Sequence, residues 1–168
     1  NTDFLSSDNI PMDCDNDHSD DANDWVTPLE VAMAFPGVEF VVVYSRSNMK
    51  PKNGKSLRPR FHVYFPIPLI TDAAAYTAIK KRIAAEFPYF DKNALDSARL
   101  LFGVPNPQVE IYNGDMSVVD FLDNEDFEQW DNDSASVPEG SRNSTMSHYA
   151  GRIIKRFGNT DEAYKQYL

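Results

Sequence analysis

The stretch Arg60-Phe61-His62-Val63-Tyr64-Phe65 decides how the chain is read. Polar and apolar residues alternate along it, and successive side chains of a β-strand point to opposite faces of the sheet. Phe61, Val63 and Phe65 therefore share one face, and Arg60, His62 and Tyr64 share the other. With Arg58 two residues earlier, three phosphate-compatible side chains lie on that second face. The loop before them adds Lys50, Lys52 and Lys55. The alternative for this segment is a basic hairpin with no ligand.

Further elements fall on either side of this strand. Residues 3–12 read as a loop and a short strand, with Ile10 and Met12 leading into Asp13-Cys14-Asp15-Asn16-Asp17-His18. Thr27-Pro28-Leu29-Glu30 is a helix start, because a Thr cap, a Pro in the first turn and a Glu three residues after the cap act together. That helix should stop before Pro36-Gly37. Phe40–Tyr44 is β-branched and aromatic, hence a buried strand, and 45–59 is a basic loop. Thr71-Asp72 caps a second helix running to about Phe87, with Ala75, Ile79, Ile83 and Phe87 as its apolar stripe. Val109–Tyr112 predicts a strand, Asn113-Gly114 a tight turn, and 118–122 a short helix or strand. Mixed strands and helices predict an α+β fold in one domain over 1–122. The acidic, Ser/Asn-rich stretch 123–138 reads as a linker, and 139–168 as the start of a small helical module.

The chain has 168 residues, of which 42% are hydrophobic, which is enough for a core. A membrane helix needs about 20 apolar residues in a row, and Phe40–Tyr44 is the longest such run, so the sequence predicts a soluble protein with no membrane partner. A single cysteine, Cys14, excludes an internal disulfide and points to a reducing cytoplasm. The Asn at position 1 and the absence of a signal segment suggest an excised piece of a longer chain.

The net charge of −10 argues against a nucleic-acid partner until its distribution is considered. Residues 1–30 hold nine acids and no Lys or Arg, whereas 31–60 hold six basic residues against one Glu. An acidic stretch facing a basic one suits a metal-dependent enzyme acting on phosphates.

Three constellations could carry such chemistry. Asp13 and Asp15, two apart on a strand, would direct both carboxylates to one point and hold a divalent cation; the alternative is a solvated acidic turn. Arg60 and His62 form the second. In the third, Phe90-Asp91, a carboxylate after an apolar strand could complete a three-carboxylate metal site with Asp13 and Asp15, while Asp96 reads as a helix cap or an ion-pair partner of Arg99.

Taken in order, Met12-Asp13-Cys14-Asp15, then Arg58-Pro59-Arg60-Phe61-His62-Val63-Tyr64-Phe65-Pro66, then Phe90-Asp91 to Ala98-Arg99-Leu100, the chain resembles the archaeo-eukaryotic primase superfamily. The likeness is to the primase-polymerase domains of bacterial mobile elements and phages, and it spans most of 8–112. The resemblance implies an RNA-recognition-like sheet, mixed or antiparallel, flanked by helices, with a short C-terminal helical segment around 149–157. It implies template-dependent nucleotidyl transfer from an NTP or dNTP to a 3′ hydroxyl on a single-stranded DNA template, with a helicase as domain or partner. On this resemblance Asp13, Asp15 and Asp91 are the metal carboxylates for two Mg²⁺ or Mn²⁺ ions, and His62 contacts the triphosphate. Arg60, which stands where many relatives have Ser, Arg99 and, more loosely, Lys55 are the remaining nucleotide ligands. The competing reading is a nucleic-acid-binding replication-initiation module on the same sheet with a weak active site; a metal-dependent phosphodiesterase ranks third.

Overall fold

Four strands and three α-helices follow from these local signals in the computed structural model, which describes residues 3–99 and 101–127. Strands β1 (Ser7–Cys14), β2 (Phe40–Tyr44), β3 (Phe61–Ile70) and β4 (Val109–Tyr112) form one antiparallel sheet in the order β1-β3-β2-β4. Helices α1 (Pro28–Ala34), α2 (Ala73–Glu86) and α3 (Val118–Phe127) flank it, so the α+β class expected from the sequence holds.

Register assigns the two faces. Met12 pairs with Val63 and Cys14 with Phe61, and these side chains pack into the core with Phe40, Val42 and Phe65. Val31, Phe35, Ile83, Phe87, Val118 and Phe121 from the helices and their ends close the same core. On the opposite face, one row runs Asp13, His62, Val43, Val109 across all four strands, and the next runs Pro11, Tyr64, Val41, Ile111. Val109 and Ile111 are exposed, so helices cover one side of the sheet and leave the other open at this end.

β3 is longer than the alternating stretch suggested, continuing through Pro66 and Pro68. β2 pairs with β3 only over Phe61–Tyr64, so both prolines lie where β3 has a single neighbour and a missing N–H can be tolerated. Helix α1 begins as the sequence indicated, with the Thr27 N–H donating to Glu30 Oε2 at 2.9 Å. Helix α2 is capped by Asp72, whose Oδ1 accepts from the Ala75 N–H at 2.6 Å.

The stripe read from Ala75, Ile79, Ile83 and Phe87 is only partly right. Ala75 is exposed and Ile79 half-buried, while Tyr76, Lys80, Ile83 and Phe87 face inward. Each four-residue step rotates about 40° past a full turn, so a stripe of fours drifts off the buried face. Helix α3 settles the choice left open at 118–122 and continues to Phe127, five residues into the stretch read as a linker. The rest of that stretch and the proposed module at 139–168 lie outside the described residues. Gly114 marks a close approach: a Cβ there would collide with the Gly37 carbonyl and the Val38 backbone. Among the described residues no helix is long and apolar enough to cross a membrane.

Candidate active site

Asp13 and His62 are directly opposed across the β1–β3 ladder on the uncovered face, with Asp13 Oδ1 3.5 Å from His62 Nε2. Asp15, one residue beyond the end of β1, joins them on the wall of a cleft of about 590 Å³. The basic loop contributes Ser45, Arg46, Ser47 and Lys52 to this cleft, and the segment before β4 contributes Asp96, Arg99, Leu101 and Phe102. One wall is thus acidic, one is cationic and the third carries both Asp96 and Arg99, with an aromatic ring, 74% exposed, among the lining side chains.

Asp13 is the unusual group. Its Oδ1 is buried and accepts no hydrogen bond, and its carboxyl is pushed up to about 7. Burial is the main cause, and the charges of Asp15 and Asp91 add to it, opposed by Lys52 and Arg99. Burial likewise lowers His62, so its imidazole is held neutral across a wider pH range. Asp15 faces the ammonium of Lys52, whose Nζ lies 2.6 Å from Oδ2.

Asp91 does not follow a strand. Tyr89-Phe90 form the turn after α2, and Asp91 caps a short 3₁₀ turn, its Oδ1 accepting from the Asn93 N–H at 2.9 Å. Its own N–H donates to the Asp13 carbonyl at 2.8 Å, which ties this loop to β1 and brings the third carboxylate close enough to act on Asp13. Asp96 lines the cleft while its Oδ1 caps the Ala98 N–H at 3.1 Å.

Asp91, Arg60 and Lys55 do not line the cleft. Arg60 is fully buried, with Nη1 donating to the carbonyls of Lys50 at 2.8 Å and Ser47 at 3.3 Å. Lys55 sits in an Asn53-Gly54 turn, where both central residues have positive φ, and pairs with Asp20 at 3.3 Å. Arg58, also fully buried, donates to the carbonyls of Asn16 and Ser19 and to Asp20, with its guanidinium 5.3 Å from the Trp25 ring centroid. The acidic and basic segments noted in the sequence therefore neutralise each other in large part: Lys52 with Asp15, Lys55 and Arg58 with Asp20, and Arg60 with Asp17. A buried guanidinium needs several acceptors, and a loop held on two of them is a strut rather than a phosphate site. Arg99 is exposed and lines the cleft.

Arg46 and Arg99 are the cleft cations that remain for an anionic ligand, with Lys52 beside them but paired to Asp15. Arg46 and the hydroxyls of Ser45 and Ser47 were missed in the sequence, since nothing in a basic loop says which side chains turn toward the sheet.

As they stand, no three His, Cys, Asp or Glu side chains among the described residues form a ready metal-holding group. The donor set still suits a hard cation. The orphaned Asp13 oxygen lies beside Asp15, and Mg²⁺ commonly uses one or two carboxylates, completing its shell with water and substrate phosphates. No family model, curated protein or solved structure matches the chain.

Proposed function

We propose that this domain transfers a nucleotide from an NTP or dNTP to a 3′ hydroxyl on a single-stranded DNA template, as a primase or primase-polymerase. The observation that carries this reading is the unpartnered Asp13 carboxyl, raised chiefly by its burial and further by Asp15 and Asp91, and faced by His62, on a cleft whose other walls bear cations and an aromatic ring. A carboxylate so placed is costly unless something positive joins it.

Bound by Asp13 and Asp15 with Asp91 alongside, Mg²⁺ or Mn²⁺ would lower the pKa of the attacking hydroxyl and neutralise the leaving pyrophosphate. Arg46, Arg99 and Lys52 supply the positive charge that a triphosphate needs, and Ser45 and Ser47 supply hydroxyl donors. His62, kept neutral by burial, can donate a hydrogen bond to a phosphate oxygen without adding charge. Phe102 offers a flat face for the base. No side-chain nucleophile is required.

Incubation with labelled nucleotides, Mn²⁺ and a single-stranded template tests the proposal. Product should form with the wild-type chain and vanish when Asp13→Ala and Asp15→Ala are combined; synthesis that survives the double substitution rejects the metal role.

The ion pair between Lys52 and Asp15 favours a second reading, a nucleic-acid-binding module of a replication protein whose acids are neutralised by its own lysine. Template binding without product, unchanged by Asp13→Ala with Asp15→Ala, is its signature.

A further inference from the structure

Lys80 is the one lysine of helix α2 that points inward, and it is almost wholly buried. Among the described residues it forms no ion pair. Its Nζ donates instead to two backbone carbonyls, that of Ala94 at 2.6 Å and that of Asp96 at 3.3 Å, and lies 5.9 Å from the Tyr76 ring centroid. An ammonium buried without a carboxylate is expensive, and a Leu or Met would fill the same volume without that cost.

Both carbonyls belong to the loop between Asp91 and Arg99. Apart from one 3₁₀ turn, Lys92–Ala94, that loop has no regular structure to fix its path. Its near end is held by the Asp91 N–H on the Asp13 carbonyl. Its far end carries Asp96 and Arg99 into the cleft, and Lys80 is the tie between them. Lys80 does not itself line the cleft, so any effect it has on a ligand there passes through the loop.

We propose that Lys80 is a positioning residue: by clamping the carbonyls of Ala94 and Asp96 it sets the loop that presents Asp91 to Asp13 and Arg99 to the nucleotide phosphates. This rests on the nucleotide reading of the cleft. Lowering of the Lys80 pKa by burial agrees with a group placed for its hydrogen bonds at a cost in charge.

The test compares wild type with Lys80→Met, which keeps the volume and removes all donors, and Lys80→Gln, which keeps a neutral donor. Three quantities are read: amide exchange over 91–99, affinity for a dNTP with Mn²⁺, and the split between KM and kcat in template-dependent extension. Hydrogen bonds from a charged donor sustain equilibrium effects of about tenfold or more, so Lys80→Met should weaken nucleotide affinity and raise KM by about that factor. Exchange over 91–99 should quicken while the sheet stays protected, kcat at saturating nucleotide should fall less than in Asp91→Asn because Asp91 keeps its own bond to the Asp13 carbonyl, and Lys80→Gln should fall between.

Wild-type affinity in both variants, whatever their melting temperatures, assigns Lys80 to stability alone and overturns the proposal, as does failure of both to fold. If the wild type binds nucleotide yet makes no product, the polymerase reading fails and the affinity and exchange data decide Lys80 by themselves. Absence of nucleotide binding by the wild type defeats both.

Discussion

Asp13 and Asp91 are joined backbone to backbone: the Asp91 N–H donates to the Asp13 carbonyl at 2.8 Å across the free edge of β1. The bond serves two ends. It satisfies an edge-strand carbonyl that would otherwise face solvent, and it brings the charge of a loop residue to bear on the buried carboxyl of Asp13. Most of the account's expectations follow from the electrostatics of that junction.

The first concerns pH. The Asp13 carboxyl titrates near 7 in the folded chain and near 3.8 in its absence. A raised carboxyl pKa means that the folded state holds the proton more tightly, so the contribution of this group is fully present below about pH 4 and is lost as pH rises toward 7. Asp13→Asn should therefore match wild type in stability at acid pH and exceed it increasingly up to neutrality, by at most about 1.4 kcal/mol for each pH unit between the two values. Urea melts at pH 4, 5.5 and 7.5 measure this; a difference that does not vary with pH would contradict it.

Metal affinity should show the opposite slope. A cation must displace the Asp13 proton, so Mn²⁺ binding should strengthen as pH rises to about 7 and then level off. Titration of Mn²⁺ by calorimetry in two buffers of different ionisation enthalpy should also show proton release below pH 7.

Ranking the two loop carboxylates gives a third expectation. Both carboxylates cap a turn, but Asp91 is among the charges that act on Asp13 and Asp96 is not. Asp91→Asn should cost about 10- to 100-fold in synthesis, the range for losing a group that supports a metal ligand, and Asp96→Asn clearly less. The reverse order in steady-state rates would place the third carboxylate at Asp96.

Arg60 should behave as a structural residue. Arg60→Met leaves the Lys50 carbonyl without this donor and weakens the Ser47 carbonyl and Asp17, which keep the Lys50 N–H and Arg58, and should cost about 1–3 kcal/mol in urea unfolding. Lys55→Ala, in an exposed pair with Asp20, should leave both stability and nucleotide affinity close to wild type. If Arg60→Met instead keeps full stability and loses only nucleotide affinity, the sequence assignment of Arg60 is restored.

Phe102 is exposed on the cleft wall. Stacking of a base on an aromatic ring is worth about 1–3 kcal/mol, so Phe102→Ala should raise KM for the nucleotide about fivefold or more with kcat little changed. Phe102→Trp should report binding through fluorescence quenching on addition of a dNTP.

How far the sequence could be read depended on how local each signal was. The period-two alternation from Phe61 to Phe65 placed His62 on the open face and its apolar neighbours in the core, because strand parity is a property of the strand alone. Thr27-Pro28 and Asp72 marked helix starts for the same local reason. Arg60 has the same parity as His62 but precedes the strand, where the returning loop 45–52 closes over it; that closure depends on contacts far apart in sequence. Charge segregation between 1–30 and 31–60 was visible, yet composition cannot distinguish two walls of a cleft from two loops that pair with each other, and the chain does largely the latter. Lys80 was hidden because a stripe counted in fours passes beside it.

In the proposed function, Asp13 and Asp15 would hold a divalent cation with Asp91 near Asp13. Anomalous diffraction from a crystal soaked with Mn²⁺ and a dNTP tests it most directly. A manganese peak is expected in coordinating contact with Asp13 and Asp15, with the Lys52 ammonium moved off Asp15 and onto the triphosphate. Nucleotide bound in the cleft with no manganese between the carboxylates, and Lys52 still on Asp15, would contradict it.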